Sequence, residues 1–275
     1  MPTKYADVAG CATNYYYVGK TTLPDVVPDF SRGRKLIFIH AAGSNGHAWH
    51  RQYDALGAAH SPIALDLPGH GRSAGVEGLH SVEAYADFVV AFADALKIGA
   101  AVIVGSSLGG AIAMDLALRH PGRVQALVLM ATAPKFNIPA EGIELWRGVT
   151  MGRAGQPFNN DGYSPKTIAE KREVIQEGWG EQIRTDPRVR WGDYVVGSKV
   201  DLRERIGEIA TPTLILAGAD DQITLPADAE FIHGRVKGSR LEVIADAAHH
   251  LTTERPDEVN AAVAGFLAGL PGSAA

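Results

Sequence analysis

Cysteine is nearly absent: Cys11 is the single one in 275 residues. That excludes an intrachain disulfide framework and a thiolate metal cluster. Long apolar runs are missing too, and no segment approaches the about 18 consecutive apolar residues of a membrane span. The opening Met1-Pro2-Thr3-Lys4-Tyr5-Ala6-Asp7 lacks the apolar run of a signal peptide. A cytoplasmic location is therefore expected. Basic clusters are lacking: the net charge is −5 and Lys and Arg are scattered. No electrostatic footprint for nucleic acid or an anionic membrane results. Repeats and low-complexity segments are absent, apart from a Pro-Gly-Ser-Ala-Ala tail that is expected to fray.

What is present is ordinary globular composition, with 46% hydrophobic and 21% charged residues. Such a chain can bury a sizeable core, and its length fits one α/β domain. Short β-rich runs alternate with helical patterns. Strands are expected at Tyr15–Val18, Lys35–His40, Pro62–Leu67, Ala101–Ser106, Val124–Met130, Thr213–Ala217 and Leu241–Ala245. Several are continuous apolar runs, as where both faces of a sheet are buried. Helices are expected at Ser81–Leu96, with Ser81 as N-cap, and at Leu108–Arg119, Pro226–Val236 and Pro256–Leu267. The reading is an α/β fold with a mostly parallel, doubly wound sheet.

The rhythm breaks between Phe136 and Ile206. This stretch is rich in helix formers, as at Thr167–Glu177 and Asp201–Ile206, and holds Trp146, Trp179 and Trp191, three of the four tryptophans. It is longer than ordinary crossovers. A helical cap over residues 136–206 is expected, on a core formed by residues 1–135 and 207–275. The alternative is a second stack of crossover helices.

Gly105-Ser106-Ser107-Leu108-Gly109 fits G-x-S-x-G with Ser107 in the third place. Ala101-Val102-Ile103-Val104 precedes it as a strand and Leu108–Met114 follows as a helix. Strand, sharp turn and helix together present a serine hydroxyl at the carboxyl edge of a sheet. The same residues also suit a plain turn, because glycine and serine are common there.

With this junction in view, the chain resembles the α/β-hydrolase family, and the resemblance covers nearly all of it outside the cap. His40-Ala41-Ala42-Gly43 looks like the family's His-Gly-x-Gly loop, which implies an oxyanion hole built from the backbone N–H groups of Ala42 and Leu108. Ala41 stands where the family usually has glycine, and alanine resists positive φ. The loop is therefore expected to bend less sharply. His40 is read as a brace for the loop. Asp66-Leu67-Pro68-Gly69-His70-Gly71-Arg72-Ser73 resembles the family's structural turn after the next strand.

A serine hydroxyl needs an adjacent base near neutral pH. In this fold the order along the chain is Ser, then Asp or Glu, then His. His249 follows the strand Leu241–Ala245 at the same sheet edge as Ser107. Ala247-Ala248-His249-His250 looks like the family's histidine loop, with His249 rather than His250 in register. The family's G-x-x-D pattern in Gly218-Ala219-Asp220-Asp221 selects Asp221, with adjacent Asp220 as the alternative. Asp246 is read as a turn residue.

The reading is a serine hydrolase of a carboxylic ester or lactone, acting through an acyl-enzyme on a small-molecule substrate and needing no cofactor. Alternatives are carbon–carbon bond hydrolysis of a vinylogous diketone and a ligand receptor on the same fold. An imidazole base loses its proton near about pH 6.5, so ester turnover is expected to rise with pH across that region. No metal is expected, since a helix after the oxyanion loop accounts for His47 and His50. Gly19-Lys20-Thr21 is not a Walker A loop, because position 14 is Asn14. Trp146 and Trp179, with Phe158, Tyr163, Trp191 and Tyr194, are candidates to line a pocket or to form the core of the insertion. Charges in the insertion balance, so an ionic substrate is not indicated. Nothing in the sequence fixes the oligomeric state.

Overall fold

The computed structural model describes residues 2–272, so residues 273–275 of the tail expected to fray lie outside the described residues. Eight strands form one sheet: β1 Thr3–Val8, β2 Cys11–Tyr17, β3 Lys35–Ile39, β4 Ser61–Leu65, β5 Ala101–Ser106, β6 Val124–Met130, β7 Thr213–Gly218 and β8 Arg240–Ile244. Their order across the sheet is β1-β2-β4-β3-β5-β6-β7-β8. β1 and β2 pair antiparallel, as do β2 and β4, and every other neighbouring pair is parallel.

β1 was not expected from the sequence. It closes on β2 through Ala9 and Gly10, both at positive φ (52° and 83°), with Val8 opposite Cys11. Positive φ at both central positions matches the twist of a two-residue hairpin, even though alanine is a poor residue for it.

The central strands are apolar on both faces because each face has its own core. Along β3, Ile37 and Ile39 join one buried cluster, while Leu36 and Phe38 join the other. β6 divides in the same way, Leu127 and Leu129 against Ala126, Val128 and Met130. Helices α2 (Val82–Ala95) and α3 (Leu108–Arg119) pack on the first face, with α1 (His50–Leu56) on the second. Ser81 caps α2, its hydroxyl accepting the Ala84 N–H at 3.2 Å.

Between β6 and β7 lie four helices, α4 Ala140–Thr150, α5 Pro165–Glu170, α6 Arg172–Gln182 and α7 Pro187–Lys199. Ser164 and Asp186 cap α5 and α7 just ahead of Pro165 and Pro187. The helix expected over Thr167–Glu177 is broken at Lys171, whose φ of −131° and ψ of 56° lie outside the helical region. The helix expected over Asp201–Ile206 does not form. Asp201 instead takes the Arg203 backbone N–H and guanidinium on its carboxylate, a local bond that competes with a helix, and only a 3-10 turn follows at Ile206–Glu208. The chain ends with α8 (Pro226–Arg235) on the first face, the short α9 (Leu251–Glu254) and α10 (Pro256–Gly269) on the second. Among the described residues, no helix is long and apolar enough to cross a membrane.

β3 has β4 on one side and β5 on the other, so the loops leaving the carboxyl ends of β3 and β5 diverge. A crevice opens at such a switch point in an α/β sheet.

Candidate active site

Ser107 sits at the junction of β5 and α3, with φ 52° and ψ −119°. A non-glycine residue held there stores on the order of 1–3 kcal/mol of strain. The surroundings enforce it. Ser107 N–H donates to Met130 O at 3.0 Å, and Ser107 O accepts the Thr132 hydroxyl at 2.7 Å. The flanking glycines are sterically required. A Cβ on Gly105 would overlap the Gly109 carbonyl oxygen, and one on Gly109 would meet His40 O at 2.6 Å. Leu108 opens α3, so the positive end of the helix dipole lies against the serine.

His249 reaches this hydroxyl from the loop after β8, its Nε2 lying 3.1 Å from Ser107 Oγ. Its Nδ1 lies 2.9 Å from Asp221 Oδ2, in the loop after β7. With Nδ1–H donating to the carboxylate, Nε2 is left to accept from the serine. Asp221 is fully buried and also accepts the Ile223 and Thr224 N–H groups and the Thr224 hydroxyl. Burial alone raises its pKa. The His249 hydrogen bond and charge, with the two backbone donors, outweigh burial and hold the carboxyl below its ordinary range.

The neighbouring candidates fall elsewhere. Asp220 is half-buried and ties the two loops together through its N–H to Ala247 O at 2.9 Å. The His250 ring stacks on Tyr163 at 4.4 Å between centroids. Asp246 turns the chain at φ 54° and pairs with Lys166 at 2.7 Å.

Across the crevice, the bend expected to be weakened by Ala41 is taken by Gly43, at φ 60°. Ala42 and Leu108 both line the cavity, and neither backbone N–H has an acceptor among the described residues. His40 braces the loop as a neutral ring. Its Nδ1 lies 2.9 Å from Ala41 O, and its Nε2 accepts the Leu67 N–H at 3.1 Å. Burial, with nearby His70, pushes its pKa down to about 3. His47 and His50 meet companions that the local spacing did not show, Glu181 and Glu177 of α6, at 2.9 and 3.4 Å. No cluster of three or more candidate metal ligands occurs among the described residues.

A cavity of about 420 Å³ lies between the sheet edge and helices α4, α6 and α7, reached by Ser107 and His249. Trp146, Trp179, Tyr163 and Tyr194 line it; Phe158 and Trp191 do not. Trp146 is buried, stacks with Tyr194 and lies under the Arg190 guanidinium, 5.0 Å from the ring centroid.

Four contributors were not found from the sequence. Glu254, fully buried, accepts the Ala248 and Ser164 N–H groups, and so fixes the histidine loop. Thr224 bonds to Asp221 and lies 3.3 Å from His249 Nδ1. Arg190 and Asp193 of α7 grip Gly43. Short-range signals exist only for Thr224, three residues beyond Asp221, and for Glu254 at the end of the histidine loop.

Residues 36–262 match the model of the alpha/beta hydrolase family. The chain is 30% identical over 240 residues to the pimeloyl-[acyl-carrier protein] methyl ester esterase of Neisseria meningitidis serogroup B (strain MC58), covering 84% of this chain and 89% of that one. It is 27% identical over 247 residues to 3-oxoadipate enol-lactonase 1 of Acinetobacter baylyi, covering 84% and 88%. Among solved structures, a thermophilic esterase superposes with a TM-score of 0.78 at 30% identity over 98% of both chains. The serine elbow, the sheet order with its divergent loops and these matches lead to one assignment: the chain belongs to the α/β-hydrolase family.

Proposed function

We propose that this protein is a serine hydrolase of carboxylic esters or lactones, with Ser107 as nucleophile, His249 as general base and acid, and Asp221 as the group orienting His249. The observation that carries the proposal is the unbroken chain from Ser107 Oγ to His249 Nε2 (3.1 Å) and from His249 Nδ1 to Asp221 Oδ2 (2.9 Å), set on a strained elbow facing a cavity.

In this mechanism His249 Nε2 takes the Ser107 proton as Oγ attacks the carbonyl carbon. The oxyanion that forms accepts hydrogen bonds from Ala42 N–H and Leu108 N–H, where one lost donor typically costs about 3–4 kcal/mol. The imidazolium, stabilised by Asp221, returns its proton to the leaving alkoxide. The acyl–Ser107 ester is then cleaved by water through the same steps, releasing the carboxylic acid and restoring the serine. In a lactone the alkoxide stays tethered to the acyl group and the product is one hydroxy acid. Helices α4–α7 act as a cap that shapes the acyl and alcohol sites, with Trp146 and Trp179 as walls.

Support for esters and lactones together comes from relatives named as a methyl ester esterase and an enol-lactonase. The test is turnover of nitrophenyl butyrate and of a simple lactone by wild type and Ser107→Ala. Both activities should vanish in the variant while its melting temperature stays near wild type. Equal and negligible rates in the two proteins would overturn the proposal.

A further inference from the structure

Helix α7 reaches out of the insertion and holds one residue of the oxyanion loop at both polar ends. Asp193 Oδ2 accepts the Gly43 N–H at 2.7 Å, and Arg190 Nη2 donates to Gly43 O at 2.7 Å. Residues three apart share a helix face, so one surface of α7 presents an acceptor and a donor matched to a single residue. The fit is close: a Cβ on Gly43 would meet Arg190 Nε at 2.5 Å and its Cβ at 2.9 Å.

Asp193 is itself rigidly placed. Only 1% exposed, it receives Tyr85 OH on Oδ1 at 2.8 Å and His70 Nε2 on Oδ2 at 2.7 Å. The other ring nitrogen of His70, Nδ1, lies 3.0 Å from Pro68 O. Both nitrogens of His70 therefore face acceptors, an arrangement that favours the doubly protonated, cationic ring, and Asp193 raises its pKa against the burial. Burial opposes ionisation of Asp193. The His70 charge and hydrogen bond, the Gly43 N–H and the Tyr85 hydroxyl outweigh it and keep the carboxyl below its ordinary range. A buried ion pair of this kind is a poor source of stability compared with apolar packing. What it does deliver is a fixed anion aimed at the Gly43 amide, next to Ala42.

We infer that Asp193 is a positioning residue for the oxyanion hole: by fixing Gly43, it sets the direction of the Ala42 N–H, so the hole is complete only while α7 is docked against the loop. The inference rests on the hydrolase reading above. It adds that the insertion takes part in the chemistry as well as in shaping the pocket, through a residue that bonds to neither Ser107 nor His249.

The experiment compares wild type, Asp193→Asn and Asp193→Ala as full-length protein. It measures kcat and KM on nitrophenyl butyrate, the inhibition constant of an alkyl trifluoromethyl ketone, and the melting temperature. Ser107 converts the ketone to a hemiketal whose oxyanion occupies the hole. Asparagine keeps an oxygen acceptor for Gly43 without the charge; alanine removes the acceptor. Expected are losses in kcat of about 10-fold for Asp193→Asn and about 100-fold for Asp193→Ala, with KM changed less than about 3-fold. The ketone's inhibition constant should rise by the same factors. A lower melting temperature with unchanged kcat would overturn the inference, as would a rise in KM with ketone binding unaltered. If wild type neither turns over esters nor binds the ketone, the hydrolase reading falls and this one falls with it. Active wild type with equally active variants sinks the positioning role alone.

Discussion

Glu254 and Ala248 are joined by a 2.9 Å hydrogen bond in which a completely buried carboxylate accepts the backbone N–H just before His249. The second oxygen of the same carboxylate accepts the Ser164 N–H at 2.8 Å, at the cap of α5. One side chain therefore pins the histidine loop to the inserted helices. Removing it strands two buried N–H groups, each costing about 1–3 kcal/mol. Glu254→Ala should lower stability by about 2–5 kcal/mol and reduce kcat more than Glu254→Gln, which retains one acceptor. Denaturant melts with ester kinetics on the folded fraction check both parts.

The two adjacent aspartates should separate cleanly. Asp221→Asn keeps the side-chain volume but offers His249 Nδ1 a mixture of donor and acceptor, favouring the wrong tautomer. A loss in kcat of about 10⁴-fold is expected, the scale of the equivalent change in a serine protease triad. Asp220→Asn should stay within about 3-fold of wild type, because Asp220 contributes its backbone N–H to the loop. Paired kinetics on the two variants decide between them.

His40 predicts a pH dependence of stability. Its folded-state pKa, about 3, lies below the about 6.5 of an unfolded imidazole. Between those values the unfolded chain binds a proton that the folded chain does not, so stability falls as pH falls, by up to about 1.4 kcal/mol per pH unit. Burial lowers the pKa of His60 as well and adds a slope of the same sign. His70 is raised by Asp193 against its burial, so its contribution is present below about 6.5 and is lost above that window, as pH rises through the raised folded-state value. His40→Gln should be less stable at pH 7 and lose part of the slope between pH 4.5 and 6.5. Urea midpoints across that range read the difference.

Legibility in the sequence followed distance along the chain. The parallel strands were plain, since runs such as Leu36–Ile39 and Val102–Val104 must be buried on both sides. Ser107 showed because both glycines stand within two residues of it; the turn itself demands Gly105, through the Gly109 carbonyl, while Gly109 is demanded by the distant carbonyls of Ile39 and His40. β1 was hidden: Thr3, Lys4 and Asp7 interrupt its apolar pattern, and its turn uses Ala9, a residue that gives no hairpin signal. The break at Lys171 carries no glycine or proline. Asp193 was equally silent, since its partners Gly43, His70 and Tyr85 lie more than a hundred residues upstream and meet it only when α7 docks.

That docking bears on any attempt to retune this scaffold by grafting. The stretch between β6 and β7 is the natural piece to exchange, because it forms one wall of the cavity and leaves Ser107, Asp221 and His249 untouched. Yet Gly43 is gripped by Arg190 and Asp193 from inside that stretch, and Ser164 anchors it to Glu254. A chimera lacking equivalents at those three places would inherit a new wall together with a slack loop beside the serine.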